Sequence, residues 1–279
     1  MISLLYCGNG KMFDGILISL LSIAKTASEP LDVSILTMDL FGINPLFTPL
    51  TEEQGCFMES LLKEKEPRSR LKVYGITELF LSEMKNSPNL NSVYTPYTLL
   101  RLFADELPLP EKILYLDADT AAARDIAPVF EVDTGGSPYA GVLDYLGKIF
   151  IHPRYINAGV LLLDLEAIRS SGFFQRARQF CAEKKTPFPD QDAINRLAKN
   201  KCILPRCYNE QRKMKEDTVI RHFSKSIRWL PFYHTVNIKP WDIEGMHRIY
   251  HLYDFDPVLE EYQEALEKWN RNFRKEAFR

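Results

Sequence analysis

A strand-like run, residues 112–116, leads straight into two carboxylates in Lys112-Ile113-Leu114-Tyr115-Leu116-Asp117-Ala118-Asp119-Thr120. Ligands of open α/β sheets sit at the carboxyl ends of strands. Side chains two apart on an extended segment share a face, so Asp117 and Asp119 can serve one cation. Hard oxygen donors suit Mg²⁺ or Mn²⁺, and a site with only one or two carboxylates leaves positions for substrate phosphates. The spacing alone selects little, because Asp-x-Asp occurs three times, at 117/119, 190/192 and 254/256. Only the setting behind an apolar strand distinguishes the first copy from an exposed acidic turn.

Other segments offer weaker chemistry. Gly8-Asn9-Gly10 follows an apolar run, but Phe13 stands where Gly-x-Gly-x-x-Gly needs its third glycine, so the dinucleotide fingerprint fails. The phosphate-loop pattern Gly-x-x-x-x-Gly-Lys-Ser/Thr is absent too. Asn157-Ala158-Gly159 precedes the apolar run 160–163. Small residues there let a ligand approach the backbone, or simply make a turn before a strand. Asp190-Gln191-Asp192 opens a helix, where Asp190 suits an N-terminal capping role and Gln191 has no structural duty. His222 ends a strand, and His234 lies five residues before Lys239-Pro240-Trp241. Either imidazole can ligate a metal. Lys239 and Arg101 can pair with phosphate charge or be ordinary surface cations.

The elements that must position these residues alternate. Residues 2–7, 31–38, 71–74 and 112–116 read as strands, with helices over 12–27, 51–65 and 97–106 between them. That order predicts an α/β fold with a mainly parallel sheet covered on both faces. Farther on, 139–143, 158–163 and 219–223 read as strands, and 165–181, 191–199 and 256–277 as helices. No repeat or long Gly/Ser linker marks a domain boundary. With 279 residues and 46% hydrophobic composition the chain can bury a large core, and a net charge of -2 argues against a nucleic-acid binder. Five scattered cysteines without a Cys-x-x-Cys pair fit reduced thiols and a cytoplasmic setting. Residues 16–24 are far short of the roughly 20 apolar residues a membrane span needs, and they do not read as a signal peptide.

In combination and order, these segments resemble glycosyltransferase family 8, the retaining GT-A enzymes that use UDP-sugars. The resemblance runs through residues 4–13, Tyr97 to Arg101, Tyr115-Leu116-Asp117-Ala118-Asp119-Thr120, Tyr155-Ile156-Asn157-Ala158-Gly159-Val160, Asp190-Gln191-Asp192-Ala193-Ile194-Asn195, and a histidine with Lys239-Pro240-Trp241. It implies a GT-A, Rossmann-like domain over residues 1–250 and a helical, basic and aromatic tail over 251–279. It further implies that Asp117, Asp119 and His222, or His234 in its place, hold Mn²⁺ or Mg²⁺. Cys7, Gly8, Asn9, Phe13, Arg101, Asp117, Ala118, Asn157, Ala158, Gly159 and Lys239 would then contact the donor. Asp190, Gln191 and Asp119 would form the catalytic set, with Gln191 beneath the anomeric carbon. Two departures stand out. Gly8-Asn9-Gly10-Lys11 replaces an Asp and an aromatic that commonly contact uracil, and neither histidine keeps the family's spacing of six residues before the lysine. His222 is preferred because Val219-Ile220-Arg221-His222-Phe223 looks like the family's strand end.

The expected partners are a UDP-hexose and a glycan or glycolipid acceptor such as lipopolysaccharide. A catalytically silent nucleotide-sugar-binding protein is the alternative, and an Asp-nucleophile phosphatase the remoter one. Residues 268–279 carry five cations (Lys268, Arg271, Arg274, Lys275 and Arg279) against Glu276, a local +4 with Trp269, Phe273 and Phe278 interleaved. Such a tail suits peripheral contact with an anionic membrane face or a solvated helix end.

Overall fold

The computed structural model describes residues 1–90, 94–228 and 234–276, with side chains through 271 except that of residue 228. Its centre is a seven-stranded sheet built from β1 (Ile2–Cys7), β2 (Leu31–Thr37), β3 (Arg70–Gly75), β4 (Lys112–Leu116), β6 (Tyr139–Leu143), β7 (Ile156–Asp164) and β8 (Cys202–Ile203), in the order β3-β2-β1-β4-β7-β6-β8. β7 runs antiparallel to both neighbours, β4 and β6, and the other pairings are parallel. The expected mainly parallel α/β architecture is therefore present. A short ribbon pairs β5 (Thr120–Ala122) with β9 (Ile220–His222), and β10 (Ser226–Arg228) pairs with β11 (His234–Val236).

Strand residues alternate between two cores, as the two-residue period of a strand requires. Leu4, Tyr6, Leu114 and Leu116 face one core, covered by α1 (Phe13–Thr26), α2 (Glu52–Lys65) and α9 (Asp256–Glu276). Leu5, Cys7, Ile113 and Tyr115 face the other. That side is covered by a 3₁₀ helix, Pro96–Glu106, together with α3 (Thr77–Met84), α5 (Leu165–Ser171), α6 (Phe173–Glu183) and α7 (Pro189–Leu197). Short α4 (Gly147–Phe150) and α8 (Ile243–Gly245) lie in connections. Helix α2 begins on a reciprocal cap: Gln54 N–H donates to Thr51 Oγ1 at 3.2 Å, and Thr51 N–H to Gln54 Oε1 at 3.0 Å.

Four expectations change. The single helix over 165–181 is broken at Gly172, whose φ of 62° is left-handed and ends α5. Residues 97–106 are helical but of the tighter 3₁₀ kind. Asn157-Ala158-Gly159 is part of β7, not a turn before it. Finally, Trp269 faces the protein's own core: its ring lies 5.3 Å from Phe13 and 5.0 Å from Phe57, centroid to centroid. Lys268 pairs with Glu64 at 2.5 Å. Val258, Leu259, Tyr262 and Ala265 of α9 belong to the same core as α1, which docks this helix on the main body. The side chains of Phe273, Arg274, Lys275, Glu276, Phe278 and Arg279 lie outside the described residues. Among the described residues no helix is long and apolar enough to cross a membrane.

Candidate active site

The chain turns out of β4 into Asp117, Ala118 and Asp119, then immediately into β5. Pairing of β5 with β9 sets Thr120 opposite His222, which carries the imidazole to the two carboxylates. Nε2 of His222 lies 3.2 Å from Asp119 Oδ1 and 3.7 Å from Asp117 Oδ2. One donor atom from each of the three residues falls within 4.8 Å of the others. His234 is exposed on β11 and outside this group, so of the two histidines it is His222 that joins the carboxylates. Gly159 explains how the ring fits: a Cβ there would stand 2.2 Å from His222 Cε1. Gly15 plays a similar part below the turn, since a Cβ would meet the Ala118 carbonyl oxygen at 2.5 Å.

The remaining oxygens of the carboxylates are committed. Asp117 Oδ1 accepts from the Tyr115 hydroxyl at 2.6 Å and from Arg101 Nη2 at 2.9 Å. That leaves Oδ2 turned toward His222. Asp119 Oδ2 accepts from Lys239 Nζ at 2.5 Å, and Lys239 also donates to the Phe223 carbonyl at 3.0 Å. Burial alone would push the Asp119 carboxyl up, but His222 and Lys239 outweigh it and hold it well below the usual carboxylate range. Two carboxylates and an imidazole converging at one point fit Mn²⁺ or Mg²⁺ when the ring is neutral and its Nε2 bare, with other positions open to a ligand.

Arg101 is 3% exposed and does not face a donor as a free cation. Its Nη1 donates to the Ala158 carbonyl, Nε to the Thr98 carbonyl at 3.1 Å, and Nε also lies 3.2 Å from Asp190 Oδ2. The guanidinium stacks 4.0 Å from the Tyr115 ring centre. Burial opposes the charge on Arg101, yet Tyr115, Asp190 and Asp117 outweigh it and keep the group firmly protonated. Arg101 thus brackets Asp117 to Asp190. Asp190 is not the helix cap: α7 starts at Pro189 after Phe188, which makes no side-chain cap. Burial lifts the Asp190 carboxyl above its ordinary range, more than Arg101 lowers it.

The first two turns of α7 are fastened by side chains to β7 and to Tyr155 just before it. Gln191 Oε1 accepts from Ala158 N–H at 2.8 Å, Asp192 Oδ1 from the Tyr155 hydroxyl at 2.7 Å, and Asn195 Oδ1 from Ile156 N–H at 2.7 Å. Gln191 therefore has a structural bond that the sequence did not suggest. On the other side of β7, Asn157 donates to Asp144 Oδ2 at 2.8 Å and accepts from Asn209 Nδ2 at 2.9 Å. Tyr115, Tyr155, Asp144 and Asn209 are parts of the site that motif reasoning missed. Tyr115 was within reach, being two residues before Asp117 on the same strand face; Asn209 had no such signal.

The residues after β1 divide. Cys7 is buried, which pushes its thiol up, and it shares an electrostatic environment with Arg101, Asp117 and Asp190. Gly8 is where a Cβ would meet Met12 Cβ at 2.9 Å. Asn9 bridges to Pro49, and its Oδ1 is buried with no hydrogen-bond partner among the described residues. Phe13 is corrected: it is 6% exposed and packs with Phe57 and Trp269 in the core under α9, so it lines no binding surface. Ala118 is 8% exposed, its small side chain set between the two acids.

A family model described as glycosyl transferase family 8 matches residues 3–245. The chain is 28% identical over 195 residues to a lipopolysaccharide 1,2-glucosyltransferase of Escherichia coli (strain K12), covering 63% of this chain and 55% of that protein. It is 31% identical over 117 residues to a probable glycosyl transferase, Gly, of Streptococcus gordonii, covering 40% of this chain and 17% of that one. The chain thus spans less than two thirds of either relative. Among solved structures it resembles the galactosyltransferase LgtC in complex with donor and acceptor sugar analogs (TM-score 0.69, 16% identity, 94% of this chain and 96% of that one). It also resembles GlyE of Streptococcus pneumoniae TIGR4 (TM-score 0.64, 18% identity, 94% and 63%).

Proposed function

The chain belongs to glycosyl transferase family 8, and from that premise we propose that it is a metal-dependent retaining hexosyltransferase. It moves glucose or galactose from a UDP-hexose to a glycan or glycolipid acceptor. The observation that carries this is the convergence of Asp117, Asp119 and His222 at the end of β4, beside Gln191 and Asp190. The hexose and the acceptor class are supported by the relatives, a lipopolysaccharide 1,2-glucosyltransferase among them.

Asp117 Oδ2, Asp119 Oδ1 and His222 Nε2 would hold Mn²⁺ or Mg²⁺. When bound, such an ion supplies Lewis-acid stabilisation of the negative charge that builds on a diphosphate leaving group. Lys239 has three N–H donors, of which two go to Asp119 and Phe223, leaving the third for a phosphate oxygen. Asn9 Oδ1 would accept an N–H of the base. Gln191 carries an uncharged amide and is a poor nucleophile beside a carboxylate. The anomeric C–O bond to the β-phosphate therefore breaks as the acceptor oxygen approaches the same face. The acceptor proton passes to the departing phosphate, and the hexose leaves on the acceptor. Trapping a glycosyl adduct on Gln191 or Asp192 would defeat this front-face course.

Residues 1–250 would be the catalytic domain and 251–279 a bracing tail, placed in the cytoplasm at the inner membrane face. The test is a panel of UDP-hexoses scored for UDP formation with Mn²⁺, Mg²⁺ or EDTA. Metal-dependent UDP release with one hexose is expected. No release from any hexose, with or without an added glycan acceptor, counts against an enzyme and for a silent binding protein.

A further inference from the structure

We propose that Asn209 is a positioning residue that fixes the protonation of the His222 ring, so that Nε2 presents its lone pair to the cation position. The proposal rests on the metal-dependent reading above. It begins from a group whose role is not open to choice: the backbone amide of Gly159 can only donate, and it lies 3.0 Å from Asn157 Oδ1. The oxygen of the Asn157 amide is thereby assigned, and its Nδ2 points at Asp144 Oδ2, an acceptor, at 2.8 Å. The Asn209 atom 2.9 Å from Asn157 Oδ1 must then be a donor, Nδ2. Its Oδ1 is left facing His222 Nδ1 at 3.1 Å. An amide oxygen accepts only, so Nδ1 carries a hydrogen.

The relay is dry and held at both ends. Asn157, Asn209 and His222 are 7%, 0% and 3% exposed, so each unmade bond in the chain leaves a buried polar group without a partner. Asn209 ends a 3₁₀ turn, Arg206–Asn209, and the next residue, Glu210, is tied to β9 on both sides of Arg221, the second bond being to the histidine's own amide. Glu210 N–H donates to the Ile220 carbonyl at 2.9 Å, and His222 N–H to the Glu210 carbonyl at 3.0 Å. Amide and ring therefore cannot drift apart. A histidine that ligates a metal through one nitrogen is oriented by the partner of its other nitrogen, and losing such a partner typically weakens metal binding about 10–100-fold. Here the partner is a neutral amide, which itself is oriented by Asn157.

The experiment is Mn²⁺ binding by electron paramagnetic resonance to wild type and Asn209→Leu, with ring-nitrogen NMR of both proteins in EDTA at pH 8.5. The expected result is a slowly exchanging Nδ1–H on His222 in wild type, lost in Asn209→Leu, with Mn²⁺ affinity down about 10–100-fold. A wild-type ring with bare Nδ1 overturns the proposal, and that spectrum decides even if the variant does not fold. A folded Asn209→Leu that binds Mn²⁺ within twofold of wild type also overturns it. Wild type that binds no Mn²⁺ sinks the metal-dependent reading instead, while the ring spectrum still decides the protonation assigned to Asn209.

Discussion

Arg101 shows how much of the site is held together by bonds within the protein. Its guanidinium, itself buried, joins partly exposed Asp117, buried Asp190 and the Ala158 carbonyl. Replacing one partner of a buried ion pair leaves the others uncompensated, at about 3–5 kcal/mol. Arg101→Met is expected to lose about that much in urea unfolding, with UDP release falling because Asp117 and Asp190 separate. Asp119 has an acid signature of its own. Its folded-state carboxyl is held low, mainly by His222 and Lys239 working against burial. The unfolded chain then binds the extra proton as pH falls, so the stability Asp119 contributes is present above the unfolded carboxylate value near ~3.9 and is lost below it. In EDTA, the unfolding free energy of Asp119→Asn should fall less steeply than wild type below about pH 4; equal slopes would refute the assignment. Asp117 and Asp119 were legible because an apolar strand announces where its carboxyl end lies, whereas His222 was chosen over His234 only through the family resemblance. Arg101 was legible only as a cation: nothing in its spacing told that it would be walled in.

Among the elements, β7 does the most to shape the site, and the small residues at its start serve a neighbour inside the protein. Gly159 makes room for the His222 ring, so Gly159→Ala must displace the imidazole or the strand. Overpacking of this kind costs about 1–3 kcal/mol. Mn²⁺ affinity should drop by about tenfold or more, as for a lost partner of a metal-binding histidine; calorimetric titration finding wild-type affinity would show that the ring has another place to go. Sequence periodicity located the longer strands and most helices because their alternation and helical stripes are local, but not the two- and three-residue strands β5, β8, β10 and β11, which are too short to show a period. It merged α5 with α6 because one residue, Gly172, breaks the helix while the apolar spacing continues across it. It stopped short of Asn157 in β7 because polar Asn157 interrupts the apolar run, although its side chain is satisfied inside the protein by Asp144, Asn209 and Gly159.

At the scale of the whole molecule, a cation held only by the folded chain adds to its stability by mass action. At a hundredfold excess over Kd this is about 2.7 kcal/mol, or roughly 5–10 °C in Tm. Thermal unfolding with Mn²⁺ against EDTA should show that rise in wild type and none in Asp119→Asn. The C-terminal helix makes a separate forecast. Trp269 docks on Phe13 and Phe57 and Lys268 pairs with Glu64, so two residues of the basic, aromatic tail are taken up by contacts within the protein, and the membrane role expected of the tail is to be tested on residues 272–279. Deleting 272–279 should abolish co-sedimentation with anionic liposomes and leave Tm unchanged; unchanged sedimentation would remove the membrane role. The local +4 was visible in sequence, but which aromatics it could spare was decided by packing between residues some 200 or more apart.

The bond from Ala158 to Gln191 has one more consequence. In the sheet, that amide hydrogen is guarded by a side chain on α7, and the amide of Ile156 is guarded in the same way by Asn195. Their exchange with heavy water is therefore timed by how often the start of α7 lifts from β7, at a rate set apart from that of the strand-to-strand amides around them. Two backbone hydrogens in the middle of the protein thus keep a clock on Gln191 and Asn195, readable in the resting protein without any turnover.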